Sequence, residues 1–69
     1  MLTFEPLRIY AAKHRLNPID LARRTGLTRQ TIYKMLDDKS VSMDAIDKVC
    51  TSLDLELHEV VRRKREGEE

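Results

Sequence analysis

Apolar residues recur along most of this chain at the three-to-four spacing of a single helix face. In residues 4–15, Leu7, Tyr10, Ala11 and His14 fall at i, i+3, i+4 and i+7, which predicts an amphipathic helix with Thr3 as its cap. Pro6 fits only because it lies in the first turn, where its missing N–H has no intrahelical partner to lose. Residues 16–36 then predict two short helices about Gly26. Asn17 caps the first, Pro18 takes its first helical position, and Asp20 sits in the first turn, facing the positive end of the helix dipole. Ile19, Leu21 and Ala22 supply its apolar or small positions. Gly26 follows the last helical residue, where a left-handed cap is easiest. Thr28 caps the second helix, in which Leu27, Ile32 and Met35 have the spacing of a buried stripe. Ser42 caps a fourth helix with Ile46, Val49, Cys50 and Leu53 on one side. Residues 54–56 turn the chain into a fifth, over about 57–65, with Leu57, Val60 and Val61 facing inward. The expectation is an all-α, compact five-helix domain over residues 1–65, followed by a polar, frayed tail at residues 66–69.

The polar residues between those stripes carry the chemistry. Arg29, Gln30, Thr31, Tyr33 and Lys34 crowd the first two turns of the third helix, and this is the donor inventory for DNA. Arginine and glutamine offer two-pronged contacts to base edges, while hydroxyls and cations suit phosphates. Two helices about a tight glycine turn, the second so equipped, form a helix-turn-helix with Thr28 to about Leu36 as the recognition helix. Tyr33 either packs on the side of the first helix or, because it follows Ile32 directly and so lies off the buried stripe, serves a ligand; the second reading is favoured. Arg23 and Arg24 on the preceding helix are either a solvated face or a backbone clamp.

Composition narrows the alternatives. The chain has 69 residues, 36% charged and 41% hydrophobic, with two glycines and two prolines, which suits one small helical domain and not a turn-rich β fold. No apolar run approaches membrane-spanning length and no signal peptide opens the chain. One cysteine excludes an internal disulfide framework and fits a reducing cytoplasm. The net charge of +1 is unevenly spread. Residues 1–53 hold nine Lys/Arg against six Asp/Glu, and residues 54–69 hold four against six, so the basic excess accompanies the reading head. Cys50 lies within an apolar stripe and reads as a small core residue. His14 and His58 have no cysteine or carboxylate cluster at ligand spacing, so no metal site and no cofactor is expected. No nucleophile–base set or Gly-rich phosphate loop is present, which argues against an enzyme. Asp37 and Asp38 read as solvated loop carboxylates. Arg62, Arg63, Lys64 and Arg65 read as cations favouring a helix C-terminus, with a basic DNA arm as the alternative.

The pattern LxxxxLAxxTGLTxxTIxxxL resembles the Cro/cI-type (lambda-repressor-like, XRE) helix-turn-helix domain. Leu16, Leu21, Ala22, Gly26, the run from Thr28 to Ile32, and the later Ile46, Val49 and Leu53 carry the likeness, which spans roughly residues 5–61. The resemblance implies base reading by Thr28, Arg29, Gln30 and Lys34, and phosphate contacts near the start of the second helix and in the loop after the third. Together with the residue-level reading, this nominates Asn17, Arg23, Arg24, Thr31, Tyr33, Lys39 and Ser40 for phosphate. The chain departs from relatives in three places. Pro18 stands where a glutamine is frequent, and Asp37–Asp38 where Asn-Gly is frequent. Ala11 and Leu36 replace an Arg–Glu pair that some members bury between helices 1 and 3.

The function implied is a small sequence-specific transcriptional repressor bound to double-stranded DNA, acting as a homodimer on a near-palindromic operator, in some cases pairing only on DNA. Leu53, Leu57, Val60 and Val61 are the expected dimer interface, although they could equally close the domain. The alternative function is a protein-interaction module, such as an antitoxin or adaptor, for which the low net charge, Pro18 and the acidic loop speak. The Arg29–Gln30 pair on an exposed helix start speaks against it.

Overall fold

The computed structural model describes residues 1–65, so the expected tail at 66–69 lies outside the described residues. The chain begins with a two-residue strand β1 (Leu2–Thr3) and continues through α1 (Glu5–Lys13), α2 (Pro18–Thr25), α3 (Arg29–Leu36) and α4 (Met43–Leu53). A single 3₁₀ turn (Leu57–Glu59) then leads into strand β2 (Arg62–Arg63), which pairs antiparallel with β1 in the register Leu2↔Arg63 and Thr3↔Arg62. Among the described residues, four helices and a β ribbon thus replace the five helices expected.

The caps explain where the helices start. Asn17 accepts from the Asp20 N–H at 2.8 Å while Asp20 accepts from the Asn17 N–H at 3.2 Å, a reciprocal capping box that fixes the start of α2. Thr28 accepts from Thr31 N–H and Ser42 from Ala45 N–H, as the sequence predicts. At α1 the cap position is Phe4, one residue later than expected, though the Thr3 hydroxyl still accepts from Glu5 N–H at 3.2 Å.

Left-handed residues explain where the helices stop. Gly26, at φ 75°, ends α2. Arg15 (φ 55°) and Asp38 (φ 58°) close α1 and α3 in the same way, each followed by a 2.8 Å bond from the next N–H back to the helix, Leu16 to Ala11 and Lys39 to Lys34. Asp38 therefore fills the position where relatives place the glycine of Asn-Gly, and aspartate is among the few side chains that tolerate it.

Leu7, Leu21, Ile32, Met35, Val49 and Val60 are fully buried, and Phe4, Ala11, Ala45, Ile46 and Val61 complete the core. Each helix contributes to it, while Leu27, Leu53 and Cys50 are half-buried at its edge. On α1 only Leu7 and Ala11 of the predicted stripe reach inside. His14 is exposed and stacks near Tyr10, ring centroids 4.3 Å apart.

The predicted fifth helix gives way to a 3₁₀ turn and a strand. Val60 and Val61 are both buried, whereas Leu57, one turn before Val61, is 56% exposed. A helix over 57–65 would carry Leu57 and Val61 on the same side. The chain instead leaves the 3₁₀ turn at Val60, still right-handed at φ −111° and ψ −48°, and β1 supplies a pairing edge for Arg62 and Arg63 directly after Val61. Lys64 N–H donates to the Met1 carbonyl at 2.7 Å, so the two ends of the domain are joined. The cations at 62–65 therefore do not end a helix. They stand on or next to a ribbon, where Arg62 donates to Glu5 at 3.2 Å.

Candidate nucleic-acid interface

The α2–turn–α3 unit is held from inside by apolar contact and from within the turn by one hydroxyl. Thr25, buried at the end of α2, donates to the Leu21 carbonyl at 2.7 Å and accepts from Leu27 N–H at 3.3 Å. It thereby satisfies the polar backbone of a turn too tight to pair with itself. Apolar spacing does not single out Thr25, and a threonine just before the turn glycine is the only visible sign of this role. Ile32 and Met35 anchor α3 below, which leaves Arg29, Gln30, Tyr33 and Lys34 on the opposite, exposed side. Tyr33 is 53% exposed, as its position after Ile32 predicts.

Three predicted contacts, at Thr28, Thr31 and Asn17, have less to offer than their composition implies. The Thr28 hydroxyl accepts from Thr31 N–H at 3.2 Å and lies 3.0 Å from the Thr31 hydroxyl. Both hydroxyls are thus engaged in starting the helix, and Thr31 is half-buried. At the start of α2, the capping box occupies both the side-chain oxygen and the backbone N–H of Asn17, leaving its amide NH₂ as the group available to a ligand. The Asp20 carboxylate beside it opposes an anion there.

Further cations stand at the end of α2 and beyond α3. Arg23 and Arg24 are exposed in the last turn of α2. Beyond α3, Lys34, Ser40 and Lys48 line one cleft together with Thr31 and the start of α4. Lys48 is not among the residues the sequence nominates. Its signal is its place three residues after Ala45 on α4, the side turned to α3. Lys39 is exposed and its ammonium lies 3.4 Å from the Asp37 carboxylate.

Asp38 departs most from its sequence reading as a solvated carboxylate. It accepts from Phe4 N–H at 2.7 Å, from the Thr3 hydroxyl at 3.1 Å and from Arg8 at 2.8 Å. Arg8 also donates to the Leu36 carbonyl at 2.9 Å. The Arg8 guanidinium holds the Asp38 carboxyl below the usual aspartate range, against the opposing effect of partial burial. An Arg–carboxylate pair thus links α1 to the end of α3 after all, but at Arg8 and Asp38 and not at the positions of Ala11 and Leu36. Asp38 consequently points toward β1 and the start of α1.

Of the four residues expected at a dimer interface, Val60 and Val61 fill the core, Leu53 is half-buried and only Leu57 is largely exposed. Among the described residues no group of three His, Cys, Asp or Glu is arranged to hold a metal ion, and no helix is long and apolar enough to cross a membrane.

Comparison with known proteins agrees with this geometry. No curated protein matches the chain. In fold it is similar to a solved structure, the crystal structure (form II) of the transcriptional regulator VanUg, with a TM-score of 0.81 and 15% identity, covering 94% of this chain and 87% of that one. Residues 6–66 match the Cro/C1-type HTH DNA-binding domain. The chain belongs to that family.

Proposed function

We propose that this protein is a sequence-specific transcriptional regulator, a small cytoplasmic repressor that reads a near-palindromic operator with α3 in the major groove. The observation that carries this reading is the exposed side of α3, where Arg29, Gln30, Tyr33 and Lys34 stand together over a fully buried Ile32 and Met35. A guanidinium, a carboxamide and an ammonium on one rigid, capped helix can distinguish base pairs by their edges. Arg29 reads guanine, Gln30 reads adenine, and Lys34 adds a contact farther along the groove. Thr28, its hydroxyl committed to the cap, contributes its methyl group. Arg23, Arg24, Tyr33, Lys39, Ser40, Thr31 and the Asn17 amide take phosphates, with Lys48 added from the cleft beside α3.

One such helix covers only a few base pairs, so two protomers bind half-sites about one helical turn apart, roughly 34 Å. Val60 and Val61 are consumed by the core, which leaves Leu57 as the exposed residue of the expected interface, with Leu53 half-buried. The homodimer forms on DNA. Selection from random duplexes tests the reading: Arg29→Ala and Gln30→Ala should each cost about 1–3 kcal/mol and relax preference at one base pair. An unchanged selected motif for both variants would overturn base reading by α3. Sedimentation on a palindromic duplex should give two protomers per site.

A further inference from the structure

On the side of α4 turned away from α3 lies a shallow groove, closed at its far end by the 3₁₀ turn. Ile46, Cys50 and Leu55 form its floor, and Met43 and Leu57 its walls. Met43 is 76% exposed and Leu57 56%, so two large apolar side chains stand in water at one place on a small domain. The rim is acidic. Asp47 and Glu56 flank the groove, and among the described residues neither is paired with a cation. Burial pushes the Cys50 thiol up, and the charges of Asp47 and Glu56 push it further in the same direction. The groove is therefore apolar at its base and negative in field.

We infer that this groove docks a short amphipathic segment of another protein, one that sets two or three apolar side chains on the floor and Lys or Arg side chains against Asp47 and Glu56. Three observations define the occupant. The volume, about 300 Å³, stands at the lower end of clefts that hold small molecules and suits a few side chains. The acidic rim selects cations, because like charges brought together across an interface are strongly disfavoured. A second copy of this chain docked by the same surface would bring two acidic rims together. The groove is also compatible with DNA on α3. Met43, Ile46 and Cys50 recur on one stripe of α4, whereas Ala45 and Lys48 line the cleft on the α3 side. Occupation by a partner leaves Arg29, Gln30 and Lys34 uncovered.

The test uses the full chain, uniformly labelled with ¹⁵N, titrated with a helical 14-residue peptide of leucine and lysine and with its leucine–glutamate counterpart. The lysine peptide should shift amide resonances of residues 43–57 and bind on the order of ten-fold tighter than the glutamate peptide. Asp47→Lys with Glu56→Lys should reverse that order. Met43→Ser with Leu57→Ser should weaken the lysine peptide by a similar factor while thermal melting stays near that of the parent, since both side chains are exposed. Equal binding of the two peptides, shifts centred on α2 and α3, or no binding would overturn the proposal. Concentration-dependent shifts of residues 43–57 without peptide would overturn it in favour of a second copy.

Discussion

Replacing Asp38 by asparagine removes one charge and almost nothing else, which makes it the most informative single change in this fold. Asparagine tolerates the left-handed backbone at φ 58° and keeps one oxygen to accept from Phe4 N–H. What is lost is the charge facing Arg8, at 2.8 Å, and one acceptor for the second guanidinium nitrogen. A hydrogen bond to a charged group contributes about 1.5–3 kcal/mol when well sheltered. Here the two side chains are 37% and 23% exposed, so solvent screening lowers the expected loss to about 1–2 kcal/mol. Asp38→Ala removes every acceptor, strands Phe4 N–H and puts an alanine in the left-handed region, for a total of about 3–4 kcal/mol. At about 4–8 °C per kcal/mol for a domain of this size, asparagine should lower the melting temperature by roughly 5–15 °C and alanine by more. The pH dependence gives an independent check. Because the folded carboxyl titrates below its unfolded value of about 3.9, its contribution is complete above that value and is lost as pH falls through the folded one. Thermal melts by circular dichroism should therefore show a parent–asparagine gap at pH 7 that narrows as pH falls below about 3.9. An asparagine variant as stable as the parent at pH 7, or a gap constant with pH, would refute the reasoning.

Three further outcomes are expected. Leu21 is fully buried between α2 and its neighbours, so Leu21→Ala should cost about 2–5 kcal/mol and unfold much of so small a domain at 37 °C, as read by denaturant titration. Arg15 holds a left-handed backbone without the short polar side chain that eases it. Arg15→Gly should then raise the melting temperature by a few degrees, since relief of about 1–2 kcal/mol exceeds the entropy cost of glycine. Arg23→Ala and Arg24→Ala should weaken binding to all duplexes alike and flatten the slope of log affinity against log salt by about 0.9 per lost phosphate contact, measured by fluorescence anisotropy.

The parts of the fold legible in the sequence are those written within a single turn of chain. Asn17 with Asp20, Thr28 with Thr31, and Ser42 with Ala45 are partners three residues apart, and Gly26 needs only its own backbone freedom. Ile32 with Met35 and Ile46 with Val49 are likewise spaced by one helix face. The exposed side of α3 is a consequence of these, because a helix that buries Ile32 and Met35 must present Arg29, Gln30, Tyr33 and Lys34 elsewhere. Features that local patterning does not reveal depend on partners far apart in the chain. Val60 and Val61 carry an apolar signal that suits a helix or a strand equally, and the choice is made by β1, some sixty residues away. Two residues of strand are too few for alternation to be recognised, and the cations after them resemble a helix end.

Asp38 shows the same dependence at the level of chemistry. By sequence it is the second of two loop carboxylates, read as solvated and as part of an acidic loop that speaks for a protein partner. That reading changes once its partners are known. The left-handed turn directs the carboxylate inward, toward Phe4 N–H, Thr3 and Arg8, so that the charge is neutralised within the fold. Arg8 meanwhile reaches Leu36, one of the last carbonyls of α3, which would otherwise lack a helical partner. One ion pair thus joins the start of α1 and strand β1 to the end of the reading helix. The pairing of chain ends and the orientation of α3 are consequently not separate features. Loss of Asp38 would loosen the ribbon at Thr3 and the last turn of α3 together, while the first turn, set by Thr28 and carrying Arg29 and Gln30, keeps its own cap.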